Sequence, residues 1–239
     1  MALPKLNVPQ YKVKIPTTGE VINMRPFLVR EEKVLMIALE SQDVEQISTA
    51  VREIILSCCS IDSIDRLASV DIEYLFLQLR AKSVGEKIAL QTKCDAEGCD
   101  GLTKFELNLE DDIELINLDA ERTIMLDKEN GVGLTLQYPN VEALSKMEFN
   151  EGSTASETIM DIITGCIETI FDNDTVHNTK DVPVEEVRAF IESLSNQQFN
   201  KVQRFFQNAP SVYYETKTNC LKCEKEINVE LKGLANFFG

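Results

Sequence analysis

The stretch Lys87 to Leu109, KIALQTKCDAEGCDGLTKFELNL, reads as two β-strands joined by a bend that carries Cys94 and Cys99. Val212 to Leu231, VYYETKTNCLKCEKEINVEL, has the same layout, with Cys220 and Cys223 at its tip. Apolar residues alternate on both sides of each polar bend, which is the pattern of a hairpin. No other feature restricts the fold as much. Two thiols on one tight hairpin hold half of a tetrahedral site, and two such hairpins supply the four thiolates that zinc prefers. The spacing predicts one four-cysteine zinc site, Cys94, Cys99, Cys220 and Cys223, assembled from both halves of the chain. Four thiolates leave no open position for water, so the predicted site is structural and not catalytic. The same ligands suit a four-cysteine iron–sulfur cluster. Unliganded thiols, or a redox-labile disulfide within one hairpin, are the remaining readings, because C-x4-C followed far away by C-x2-C is looser than two regular C-x2-C knuckles.

The rest of the chain places these hairpins in a recurring order. Tyr11 to Pro16 and Val21 to Phe27 flank Thr17-Thr18-Gly19-Glu20 and predict an opening hairpin. Glu31 to Glu40 reads as a short helix with Val34, Leu35 and Ala38 inward. Val44, Ile47, Val51, Ile54 and Cys58 mark one face of a second helix. Ser69 predicts the N-cap of a third, with Asp71 and Glu73 in the first turn and Ile72, Leu75, Phe76 and Leu79 on its apolar face. The first cysteine hairpin follows. Beyond the acidic stretch Glu106 to Glu121, Arg122 to Leu126 and Val132 to Tyr138 flank Asn130-Gly131, a strong hairpin signal. A weak helix is predicted near Val141 to Met147, then a helical stripe of Ile159, Ile162, Ile163, Cys166 and Ile170, in which DIITGC lines up with EIILSC at Glu53 to Cys58. Pro183 opens a helix carrying Val187, Phe190, Ile191 and Leu194. Ser195 with Gln198 makes a capping-box pattern ahead of Phe199, Val202, Phe205 and Phe206. The second cysteine hairpin closes the order.

The expectation is therefore an α+β protein built as a tandem of two related halves. Residues 1–112 and 113–239 would each contain a β-hairpin, helices and a zinc-ribbon-like cysteine hairpin, with the two halves packed together.

Charge and composition exclude several classes. The net charge of −16 over 239 residues argues against binding a phosphate backbone, whose affinity comes from Lys and Arg displacing counterions. A zinc-ribbon nucleic-acid module is disfavoured on that ground. No apolar run is long enough for a membrane span, and MALPKLNVPQ lacks the layout of a signal peptide. Seven cysteines in an unsecreted chain favour reduced thiols or metal over a disulfide framework. Cys58, Cys59 and Cys166 lie in apolar stripes and read as small hydrophobes. The one histidine, His177, is expected in a polar loop, Phe171 to Lys180, so catalytic sites that need imidazole all depend on this one loop residue. Asp172-Asn173-Asp174 lacks the glycine and closing glutamate of a calcium loop. The acids of Glu106 to Glu121 read as a charged connector and not as paired catalytic carboxylates. No constellation resembles an active site, so no catalytic residue is assigned and the chain is read as a non-enzyme.

Two features invite a docking reading. Arg80 and Lys82 end a helix, where cations oppose the dipole; they either cap it or present a basic patch to an acidic neighbour. Phe237 and Phe238 end the chain on a polar background and either pack back on the second hairpin or enter a partner's groove.

The segment DIEYLFLQLRAKSVGE, Asp71 to Glu86, followed by a cysteine hairpin, resembles the baseplate hub subunits of T-even-type contractile-tailed bacteriophages. So do the opening LPKLNVPQYKVKIPTTGE, the segment RPFLVREEKVLMIALES, and the closing Leu231-Lys232-Gly233-Leu234 with Phe237-Phe238. Arg122 to Lys180 carries least of the likeness. The resemblance implies a structural or assembly role in the tail, without catalysis. The chain would be a virion protein of the central hub, made late, assembled in the host cytoplasm, and docked to other hub and tail proteins in a symmetric hetero-oligomer. The rival within that reading is a transient hub-assembly factor absent from the mature particle. A peptidoglycan-cleaving tail enzyme would need a carboxylate pair or catalytic metal that the sequence does not offer.

Overall fold

The computed structural model describes residues 6–140 and 155–237. The fold is α+β, with six α-helices and several small antiparallel sheets among the described residues. The weak helix expected at Val141 to Met147 and the aromatic Phe238 lie outside them. The chain packs as two compact units, one formed by residues 1–64, 70–116 and 211–239, the other by 65–69 and 117–210. The grouping cuts across the division expected at residue 112, because the C-terminal cysteine hairpin belongs to the same unit as the first one.

The first unit opens with strands β1 (Tyr11–Lys14) and β2 (Val21–Met24), paired antiparallel with Lys14 opposite Val21. The turn between them is pinned from a helix. Asp71, fully buried, accepts hydrogen bonds from Thr17 N–H (2.9 Å) and Thr17 Oγ1 (2.6 Å). Helix α1 (Val29–Ser41) starts two residues earlier than its sequence pattern suggested, because Glu31 reaches back to the Leu28 N–H at 2.8 Å, the carboxylate half of a capping box. Helix α2 (Val44–Cys58) is capped by Asp43, which accepts from the Glu45 and Gln46 N–H groups. It buries Val51, Ile54, Ile55 and Cys58. Helix α3 (Ser69–Ser83) buries Val70, Leu75, Phe76, Leu77 and Leu79, so its apolar surface is broader than the expected stripe and Ile72 is only half-buried. A helix that is apolar over so much of its circumference is a central core element.

Strands β3 (Lys87–Lys93) and β4 (Leu102–Asn108) form the first cysteine hairpin, in register from Lys87–Asn108 to Lys93–Leu102. Strand β5 (Glu114–Ile116) lies inside the acidic stretch expected to be a connector. It pairs with the strand that leads into the second cysteine hairpin, Ser211 opposite Ile116.

The second unit is built on a four-stranded sheet, β6 (Thr123–Asp127), β7 (Val132–Leu136), β8 (Ile167–Phe171) and β9 (Val176–Asn178), with neighbours antiparallel. Helix α4 (Ala155–Gly165) stops before β8, which corrects the expectation of one helical stripe running to Ile170. Gly165 ends the helix, and Ile167-Glu168-Thr169-Ile170-Phe171 is a β-branched and aromatic run that suits a strand. His177 likewise lies on edge strand β9 and not in an irregular loop. Asp172 accepts from the Asp174 and Thr175 N–H groups in a tight turn, so the calcium-loop pattern has a local structural explanation. Helices α5 (Val184–Glu192) and α6 (Asn196–Gln207) follow. Ser195 and Gln198 form the predicted capping box, with Ser195 N–H donating to Gln198 Oε1 at 2.9 Å. Leu134, Leu136, Ile163, Ile167, Val187, Ile191, Val202 and Phe205 fill this unit's core.

Strands β10 (Ser211–Asn219) and β11 (Glu226–Lys232) complete the first unit. Each half of the chain thus contains a hairpin, helices and a cysteine hairpin in that order. The second half adds β8 and β9 between its helices.

Candidate metal centre

The two cysteine hairpins present their sulfurs in equivalent ways. Cys94 is the first residue after β3 and Cys220 the first after β10. Each is held at the base of its loop by a backbone bond that closes the bend, Cys94 N–H to Gly101 O and Cys220 N–H to Lys225 O, both 2.8 Å. Each sulfur accepts from the N–H two residues on, Ala96 to Cys94 Sγ and Lys222 to Cys220 Sγ, both 3.4 Å. The different loop lengths, C-x4-C and C-x2-C, therefore do not change how the leading thiol is aimed. Gly98, at φ +75°, takes a left-handed turn just before Cys99, and Glu224, at φ +60°, takes one just after Cys223 as the chain returns toward β11.

All four sulfurs converge. Cys94 Sγ lies 3.6 Å from Cys223 Sγ, Cys99 Sγ lies 3.8 Å from Cys220 Sγ, and the four atoms sit within 4.8 Å of one another. The shortest contacts run between hairpins and none is a disulfide. A zinc ion at about 2.3 Å from each of four tetrahedral sulfurs requires edges of about 3.8 Å. The donor set therefore fits a single tetrahedral ion and can bind a metal.

Close packing of four thiols has an electrostatic consequence. The Cys223 and Lys222 N–H groups draw the Cys220 thiol down to about 6. The Ala96 N–H acts the same way on Cys94, but burial and the neighbouring sulfurs outweigh it and raise that thiol to about 12. Four thiolates at these distances repel one another, and a divalent cation removes the conflict.

The surroundings fix the cluster in place. Cys94 and Cys220 are buried with Ile227 and Val229, and Phe105 and Leu231 pack against them. Leu221 N–H donates to Thr103 Oγ1 at 3.3 Å, and Thr103 is itself buried. Lys225 pairs with Asp95 at 3.0 Å, and Lys222 pairs with Asp100, so each lysine of the second loop meets an acid of the first. Gly101 is a further determinant. A Cβ there would stand 2.6 Å from Cys220 Sγ and 3.3 Å from Cys99 Sγ, so only glycine leaves room for the sulfurs. Its sequence signal was its place two residues after Cys99; the far-side sulfur it accommodates was not legible.

The other singled-out residues lie elsewhere. Lys82 pairs with Glu110 and stands 5.3 Å above the Tyr11 ring. Arg80 is half-buried, desolvation lowers its pKa, and its Nη1 has no hydrogen-bond partner among the described residues. Phe237 is 2% exposed, at the end of a short 3-10 turn (Leu234–Phe237). Cys59 and Cys166 are buried thiols raised to about 12 by desolvation, which makes them poor nucleophiles. No described helix is long and apolar enough to cross a membrane.

Residues 8–239 match the protein family described as "T4 bacteriophage base plate protein". No curated protein and no solved structure matches the chain.

Proposed function

The chain belongs to the T4 bacteriophage base plate protein family, and from that premise we propose that it is a structural subunit of the central hub of a contractile tail, acting by protein–protein docking during tail assembly. Membership points to the virion tail and to other tail proteins as partners. The observation that carries the proposal is the extent of the match, residues 8–239, which ties essentially the whole chain to a structural baseplate family. The cysteine cluster supports the same reading. Zinc held by four thiolates has no vacant position and supplies structural linkage, and the sulfur separations suit one ion better than an iron–sulfur cluster, whose four thiolates are divided among two or more irons. The cluster joins the loop after β3 to the loop after β10 and so keeps one docking body rigid.

On this reading the protein is not an enzyme, and the repeated order of hairpins and helices is a tandem duplication. Arg80, half-buried near the end of α3, is a docking point for an acidic group of a partner. Lys82, already paired with Glu110, serves mainly to close the end of α3. Phe237 anchors the C-terminal turn internally.

Quantitative mass spectrometry of gradient-purified particles tests the role. The proposal requires this chain's peptides at a small, fixed integer ratio to a baseplate protein of known copy number. Presence in infected-cell lysate with absence from finished particles would make it a transient assembly factor and overturn the structural assignment.

A further inference from the structure

The second unit carries an open groove of about 550 Å³. Lys201 and Arg204 of α6 both line it, and residues three apart on a helix share a face. Lys201 Nζ donates to Met125 O at 2.7 Å, which orients the ammonium and leaves two N–H donors free. The Arg204 guanidinium has no hydrogen bond or ion pair among the described residues. Ile124, Met125 and Phe205 contribute apolar surface to the same groove, and Glu121 is its one acid. Arg204 stands in the last turn of α6, where the helix dipole favours a cation. That explains its place on the helix. It does not explain why a second cation and an apolar surface share one concavity in a chain of net charge −16.

We propose that this groove binds one carboxylate carried on an apolar, extended segment of a partner protein. Arg204 supplies the planar fork that matches a carboxylate, Lys201 adds a second charge, and the apolar surface takes the flanking aliphatic side chains. The occupant is monoanionic by charge balance, because two cations and Glu121 leave the lining at a net of one positive charge. The inference does not rest on the family assignment or on the metal centre.

The test titrates the full-length, 15N-labelled protein with acetyl-Leu-Glu-Leu-amide, with its glutamine counterpart, and with inorganic phosphate. The Glu peptide should shift the amide signals of Ile124, Met125 and Phe205 saturably, and the Gln peptide should not. Arg204→Gln, checked for an unchanged melting temperature, should weaken binding by about tenfold or more, the loss of a charge-assisted hydrogen bond. Glu121→Gln should tighten it, and that variant carries the test if Arg204→Gln does not fold. Equal response to both peptides, binding of phosphate but not peptide, unaltered affinity in the folded Arg204 variant, or no saturable shift would each overturn the proposal.

Discussion

Cys94 Sγ lies 3.6 Å from Cys223 Sγ although 129 residues separate the two in sequence. Cys99 and Cys220 repeat the relationship at 3.8 Å across 121 residues. Contacts between such distant points close a large loop, and their formation opposes considerable chain entropy. A single ion bound by all four sulfurs would reinforce both closures together.

Removing one ligand should therefore affect metal and stability together. In Cys99→Ser, zinc content should fall below one per chain and the melting temperature should drop, since a zinc ion at this site would contribute on the order of 10 kcal/mol to folding. A strong chelator should lower the wild-type melting temperature toward that of the variant and leave the variant nearly unchanged. Thermal scans with and without chelator on both proteins supply the check.

Gly101→Ala tests the crowding around the sulfurs while keeping all four ligands. The added Cβ would stand 2.6 Å from Cys220 Sγ, and that atom is held by its role in the cluster. Metal affinity should fall on the order of 10–100-fold, as for other changes that disturb ligand orientation. Competition with a chromogenic chelator measures it. By contrast, Asp95→Asn breaks only an exposed ion pair with Lys225 and should alter stability by less than about 1 kcal/mol.

Asp71 is the buried acceptor for both hydrogen-bonding groups of Thr17. Asp71→Ala leaves that turn without its partner inside the unit and should destabilise the protein by about 2–3 kcal/mol in urea unfolding. Asp71→Asn retains one acceptor oxygen and should cost less. Equal stability of the wild type and both variants would show that the turn is held by other means.

Glu31 sets one component of the acid sensitivity. Burial raises its carboxyl, but hydrogen bonds from Arg25, Arg30 and the Leu28 N–H outweigh that and bring it to about 2. Its folded value thus lies below the unfolded one of about 4.3. Its stabilisation is complete above about pH 5 and disappears as pH falls toward 2. With allowance for screening near the surface, about 2 kcal/mol should be lost across that window. Protonation of the cysteine ligands would weaken a metal bound there over acidic pH as well, so the informative quantity is the difference between wild type and Glu31→Gln. That difference should shrink as pH falls.

Much of the site was legible in the sequence because its determinants are local. Alternating apolar residues around Cys94 and Cys220 specify hairpins, and a cysteine at each tip specifies thiols at each bend. Ser195 with Gln198 marks a helix start for the same reason. Features that depend on tertiary contact were not legible. The segment Glu114–Ile116 looks like an acidic connector until β10 pairs with it, and Asp71 looks like a residue favoured by the helix dipole until Thr17 is placed against it. Ile170 fits a helical stripe by spacing alone. Gly165 and the β-branched run after it turn that segment into a strand, a conflict in which local propensity outweighs period.

Native mass spectrometry of the full-length protein, purified without chelator under reducing conditions, determines whether the four cysteines hold one zinc ion. One zinc ion per chain, lost on Cys99→Ser or Cys223→Ser, is the predicted result. A metal-free mass with an unchanged melting temperature, or a mass that includes iron and sulfide, would contradict it.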